Sequence, residues 1–137
     1  MIQYSKKIFV DTSAFYALID RSDQHHHQAS AIWSVLLKNE VAIITTNYVM
    51  CETIHLLQSR ISFDAASICH RDILGITDVY WVDADLHQKA YTIWLNSRQK
   101  GLSLIDCVSF ITIHQHEIEK VFSFKNCFRN QGIEVLE

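Results

Sequence analysis

At 137 residues, 49% of them apolar and 20% charged, the chain has the size and composition of one packed domain and excludes a disordered protein. A formal charge of −3 at pH 7 excludes a protein that grips nucleic acid by bulk positive charge, so a polyanion has to be met locally, by a few basic side chains or a metal. No apolar run reaches the roughly 18 to 20 residues that cross a bilayer, and Met1-Ile2-Gln3-Tyr4-Ser5-Lys6-Lys7 lacks the apolar segment of a secretory signal, so a cytoplasmic protein without membrane contact is expected.

Proline is absent and glycine occurs three times, so nothing marks a linker or repeat, and residues 1–137 read as a single domain. Cys51, Cys69, Cys107 and Cys127 form no C-x-x-C pair. They are expected to be small buried apolar residues of a reduced protein, not a zinc knuckle or redox dithiol.

In chain order, the apolar run Ile8 to Val10 predicts a buried strand that stops at Asp11, and the spacing beyond it predicts a helix over Ala14 to Ile19. Asp23 is placed to cap a helix from about Gln24 to Leu37, with Ala29, Ile32, Trp33, Leu36 and Leu37 as its apolar stripe. Val41 to Thr45 is the next strand, and Asn47 precedes a helix carrying Val49, Met50, Ile54, Leu56 and Leu57. Asp64 is expected to cap a helix from about Ala65 to Leu74, stopped by Gly75, and Val79 to Val82 is a third strand. A helix from about Asp85 to Gln99 follows, with Leu86, Ala90, Tyr91, Ile93 and Trp94 toward the core and Gly101 at its end. Ser103 opens a helix through Val108, Phe110, Ile111 and Ile113. Val121 to Phe124 and Ile133 to Leu136 are the last strands, joined by a turn holding Asn126, Arg129 and Gly132. Strands alternating with helices imply a parallel sheet with helices packed on it.

Three carboxylates stand in apolar surroundings: Asp11 after the first strand, Glu52 within Tyr48-Val49-Met50-Cys51-Glu52-Thr53, and Asp106 within Leu102-Ser103-Leu104-Ile105-Asp106-Cys107. A buried carboxylate is costly unless paired, hydrogen-bonded or bound to metal. Gathered carboxylates repel one another, and a hard divalent cation, Mg²⁺ or Mn²⁺, relieves that repulsion. Each also has a plainer reading: Asp11 as a helix cap, Asp106 as the acidic half of a Ser103-x-x-Asp106 capping box, Glu52 on a solvated helix flank. His25-His26-His27 points in three directions from a helix start and reads as solvated, as do His114 and His116; His55 follows Glu52 by one turn.

As a set, these segments resemble the PIN-domain family, which includes the VapC-type toxins of toxin-antitoxin pairs. Phe9-Val10-Asp11-Thr12-Ser13-Ala14 is similar to the family's opening motif, Tyr48 to Thr53 to its second, and Leu102 to Phe110 to its third. Val121-Phe122-Ser123-Phe124 with Phe128 to Gly132 is similar to its closing segment. The resemblance implies a three-layer α/β/α sandwich on a mainly parallel sheet, and Asp11, Glu52 and Asp106 as catalytic residues and ligands of Mg²⁺ or Mn²⁺. Thr12 and Ser13 would orient a carboxylate or a metal-bound water. It further implies an RNA substrate whose phosphodiester backbone is hydrolysed, a small antitoxin protein as partner, and a homodimer.

The closing motif departs from the family pattern. Lys125 stands in Phe124-Lys125-Asn126-Cys127-Phe128 where many relatives carry a fourth acid. It would either weaken the enzyme, leaving an impaired RNA-binding or protein-interaction module, or supply positive charge toward the phosphate. Asn126 would substitute in part as a neutral oxygen ligand, and Lys125, Asn126 and Arg129, with Arg98 and Lys100, are the candidate RNA contacts. An aspartyl-phosphate phosphatase also begins at a strand-terminal Asp, but needs a second Asp two residues on, where Ser13 stands.

Overall fold

Five strands, β1 (Lys7–Val10), β2 (Ala42–Thr46), β3 (Asp78–Tyr80), β4 (Lys120–Phe122) and β5 (Glu134–Leu136), form one sheet in the order β3-β2-β1-β4-β5. All four pairings are parallel. The computed structural model describes residues 6–137; the N-terminal stretch read for a signal segment lies, through residue 5, outside the described residues.

Parallel neighbours cannot be joined by tight turns, so helices carry the crossovers. They are α1 (Thr12–Ile19), α2 (His26–Lys38), α3 (Asn47–Arg60), α4 (Phe63–Ile68), α5 (Ala84–Ser97) and α6 (Leu104–Gln115). The chain winds from β1 outward to β3, then returns across β1 to β4 and β5. Right-handed crossovers running in opposite directions put helices on opposite faces, which gives the three-layer α/β/α sandwich expected from the sequence. The reversal also creates a crevice between the carboxyl ends of β1 and β4. Phe9, Val10, Phe15, Val121, Phe122 and Phe128 are fully buried around these two strands.

Several boundaries differ from the sequence reading, each for a local reason. Asp23 does not cap α2: its carboxylate accepts the His25 N–H at 2.8 Å and closes a turn before the helix starts. Leu37 is 45% exposed, because the buried stripe of α2 runs through Ala29 and Leu36 with Ile32 and Trp33 beside them. Ser62, not Asp64, caps α4 by accepting the Ala65 N–H at 3.0 Å. That helix ends at Ile68 and widens into a π turn at Cys69–Ile73, then a 3₁₀ turn at Leu74–Ile76, which brings Leu74 into the core.

α5 begins on an Asp83 cap and ends at Arg98, whose left-handed backbone (φ 52°) stops it before Gly101. Of its expected core residues only Ala90 is buried, against Leu102, Cys107 and Val108; Tyr91, Ile93 and Trp94 are 40, 45 and 38% exposed. The helix packs on α6 through Ala90 with Leu86 beside it, and Tyr91, Ile93 and Trp94 stay partly exposed. Cys51 is exposed, against expectation, while Cys69 and Cys107 are buried. β4 ends at Phe122, and the segment read as its continuation, Ser123 and Phe124, turns into the crevice. The joining turn is a 3₁₀ helix, Asn126–Gln131, stopped by Gly132 at φ 74°. No helix among the described residues is long and apolar enough to cross a membrane.

Phe9 fills the centre of this sheet with no exposed surface. Phe9→Ala is expected to cost about 3 to 5 kcal/mol, read as a lower midpoint in urea denaturation.

Candidate active site

Register decides what meets in the crevice. Val10 pairs with Phe122 and the Asp11 N–H donates to the Phe122 carbonyl at 3.1 Å, so the residues that follow the two strands, Asp11 and Ser123, lie side by side. Asp11 is a helix cap, as its plainer reading held: its Oδ2 accepts the Ser13 N–H at 3.4 Å. The same oxygen accepts the hydroxyls of Ser13 (2.9 Å) and Ser123 (3.1 Å). Each hydroxyl in turn accepts a backbone N–H of the closing segment, Ser13 from Phe124 at 2.9 Å and Ser123 from Lys125 at 3.0 Å. The two Oγ atoms are 3.2 Å apart and 110 residues distant in sequence.

Asp106 enters from the start of α6. Ser103 Oγ accepts the Asp106 N–H and Asp106 Oδ2 accepts the Ser103 N–H, each at 3.0 Å, which completes the capping box. The cap leaves both oxygens within reach of Lys125 Nζ, at 2.9 and 2.8 Å. At both positions the capping carboxylate keeps an oxygen engaged by side chains from other elements.

Asp11 and Asp106 are each 1% exposed. Burial pushes the Asp11 carboxyl above its usual 3.8; Lys125 pulls it back, the charge of Asp106 raises it again, and the Ser13 hydrogen bonds lower it. Burial drags the Lys125 ammonium down, but the hydrogen bonds and charge of Asp106, with the charge of Asp11, prevail and leave it above 10.5. Burial, followed by the charge of Asp106, holds the neighbouring Cys127 thiol up at about 12, so it is protonated and unreactive. The N-termini of α1 and α6 both open onto the two carboxylates, and their dipoles favour negative charge there.

The other expected site residues divide. Ser13 holds a carboxylate as the resemblance implied, whereas Thr12 does not touch Asp11: it is buried and ties α1 to α3 through Val49 and Thr53. Glu52 lies half-buried on α3, between those same two residues in sequence, and is not among the charges that act on Asp11. Asn126 and Arg129 are exposed, Arg129 in an ion pair with Glu137. Arg98, Lys100 and His55 lie exposed at the surface. Not all the triplet histidines are solvated, because His26 Nδ1 lies 2.7 Å from the Ala17 carbonyl and His25 stacks on Phe124 with centroids 4.2 Å apart. His116 stacks on Tyr80. Ser123 was not singled out as a site residue by sequence reasoning, although it lies in the quoted closing segment Val121-Phe122-Ser123-Phe124, as a lone hydroxyl in an apolar run two residues before Lys125.

The donor chemistry fits a divalent metal ion. Asp11 and Asp106 are hard oxygen donors, buried and mutually repelling, and a dication relieves that repulsion. Among the described residues no three His, Cys, Asp or Glu side chains are gathered closely enough to hold one ion. The pair itself is where a dication fits, in contention with Lys125.

An open parallel sheet with an acidic site in the crevice at its topological switch point defines an α/β enzyme. The chain belongs to the PIN domain family, whose model matches residues 8–132. A relative named 23S rRNA-specific endonuclease VapC20, from Mycobacterium tuberculosis, is 29% identical over 126 residues, 91% of this chain and 94% of the relative. The crystal structure of VapC20, described as a Sarcin-Ricin loop cleaving toxin, matches with a TM-score of 0.82 at 28% identity, over 92% of this chain and 95% of that one. FitAcB from Neisseria gonorrhoeae matches with a TM-score of 0.68 over 95% and 96% of the two chains, at 13% identity, and shares the fold.

An acid whose folded pKa lies above its unfolded value costs the fold stability above that raised pKa, and the cost fades as pH falls through it. Asp11→Asn is therefore expected to raise the thermal midpoint by a few degrees at neutral pH in chelator, with the gain shrinking toward pH 4. Ser13→Ala removes hydrogen bonds that favour the charged form. Its expected effect is a further rise in the Asp11 pKa, followed by carbon-13 NMR of the carboxyl.

Proposed function

We propose that this chain is a divalent-metal-dependent endoribonuclease of the cytoplasm, the toxin of a toxin-antitoxin pair, with a small antitoxin protein as partner and a homodimer as its assembly. The observation that carries the reading is the buried Asp11 and Asp106 pair at the switch point, in a chain similar along nearly its whole length to an rRNA endonuclease. RNA is the substrate class, and the sarcin-ricin loop is the first RNA to test because the relative cuts it.

Asp11 and Asp106 would hold Mg²⁺ or Mn²⁺, with Glu52 as a third carboxylate from the flank. When bound, the ion supplies an activated water and a counter-charge for the phosphate. The chain's own residues do the aiming. Ser13 and Ser123 fix Asp11 Oδ2 from one side, so its orientation is set before substrate arrives. The Ser103 cap fixes Asp106 in the same way. Asn126 and Arg129 offer a hydrogen-bonding group and a cation, contacts that place a phosphate backbone without reading its sequence. Thr12 acts at one remove, by holding α3 and therefore Glu52 against α1. The reading as an impaired binding module is not favoured, since the chain is similar along nearly its whole length to a relative named as an endonuclease.

Purified protein is expected to cut a sarcin-ricin RNA with Mn²⁺ or Mg²⁺ and to stop in chelator. Asp11→Asn and Asp106→Asn are expected to lower the rate about a hundredfold or more, measured in single-turnover gels. Cleavage that survives chelation, or variants that cut like wild type, would overturn the reading.

A further inference from the structure

Lys125 turns its ammonium inward onto both oxygens of Asp106. Its side chain is 38% exposed and that of Asp106 2%, so the ammonium reaches inward to a buried partner. Its delivery is built into the backbone. The Lys125 N–H is held by Ser123 Oγ, the preceding Phe124 N–H by Ser13 Oγ, and Lys125 then starts the 3₁₀ helix Asn126–Gln131. The same two hydroxyls hold Asp11. The segment that carries the ammonium and the carboxylate it faces are thus aligned by shared hydrogen bonds.

The charges can be counted. Asp11 and Asp106 bring two negative charges and Lys125 one positive, leaving one negative. One divalent ion makes that sum one positive, which the phosphate of a bound substrate cancels. A second would leave a mostly buried site with a net positive charge and no carboxylate to answer it, an arrangement that costs more than it returns.

Resting on the reading of this site as a metal-dependent nuclease, we propose that the Lys125 ammonium is a tethered cation in place of a second metal ion. The site takes a single divalent ion, in competition with the ammonium for the oxygens of Asp106. Without metal, Lys125 keeps Asp106 paired and the site folded. With metal, Asp106 no longer needs the ammonium, which becomes available to the phosphate of the substrate. A lysine at this position then makes the site less avid for metal but leaves it able to act.

The test is Mn²⁺ binding, read by electron paramagnetic resonance of the free ion without RNA, beside thermal midpoints in chelator and in Mn²⁺. Wild type is expected to bind one ion per chain. Lys125→Met is expected to bind Mn²⁺ about tenfold more tightly, since a nearby positive charge is gone. Its midpoint should fall in chelator, where Asp106 loses its partner, and recover with Mn²⁺. Lys125→Asp is expected to admit a second ion, and Lys125→Arg, which keeps the charge, to stay within a few-fold of wild type. Should Lys125→Met not fold in chelator, it is purified with Mn²⁺ present, and the Arg and Asp variants carry the comparison. Two ions on wild type, or no gain in affinity for Lys125→Met, overturns the proposal. Wild type that cuts RNA but binds two ions sinks this inference alone. One bound ion without RNA cleavage sinks the nuclease reading alone, and no bound ion on any variant sinks both.

Discussion

Two like charges buried in each other's field are the constraint around which this chain is arranged. Asp11 and Asp106 lie almost wholly out of water at the carboxyl edge of the sheet, where an unanswered carboxylate would neutralise itself or unfold its surroundings. The fold answers with three kinds of positive or donating group. Helix N-termini from α1 and α6 face the pair, serine hydroxyls saturate one oxygen of Asp11, and an ammonium spans both oxygens of Asp106. Remove any of these and the remaining ones carry more charge than they were placed to carry.

Capping and catalysis are usually weighed as alternatives for an acid at the end of a strand or the start of a helix. Here they reinforce each other. A capping carboxylate is oriented by the very N–H groups that make it a cap, and an oriented carboxylate is what a metal site needs. Ser103 and Asp106 show it most clearly: the reciprocal cap leaves one face of the carboxylate engaged and both oxygens still open to a cation. The plain and the functional readings of these residues describe the same geometry.

Much of this was legible in the chain itself. The apolar run ending at Asp11, the capping box of Asp106, the alternation of strands and helices and the anomalous Lys125 all pointed to the observed sheet and its acidic edge. What escaped were features set by contacts across the sequence. Ser123 looks like one polar residue in an apolar run until β4 is placed in register beside β1. Lys125 could not be assigned to Asp106 from spacing, because the pairing depends on where α6 begins relative to β4. The helix expected after Asp64 lost half its length to a π turn that local propensity does not encode. Tyr91, Ile93 and Trp94 follow a helical period correctly, yet the contact of α5 with its neighbour centres on Ala90 and Leu86.

The hydroxyl contact between Ser13 and Ser123 joins the first helix to the last quarter of the chain. A polypeptide leaving the ribosome has Asp11 and Ser13 exposed to the cell long before Ser123 and Lys125 exist. Over that interval it carries an aspartate at the end of a strand, without the second hydroxyl that holds it or the cation that balances its neighbour. The acidic pair has its full set of hydrogen bonds and its counter-charge only once residues 123–125 are in place.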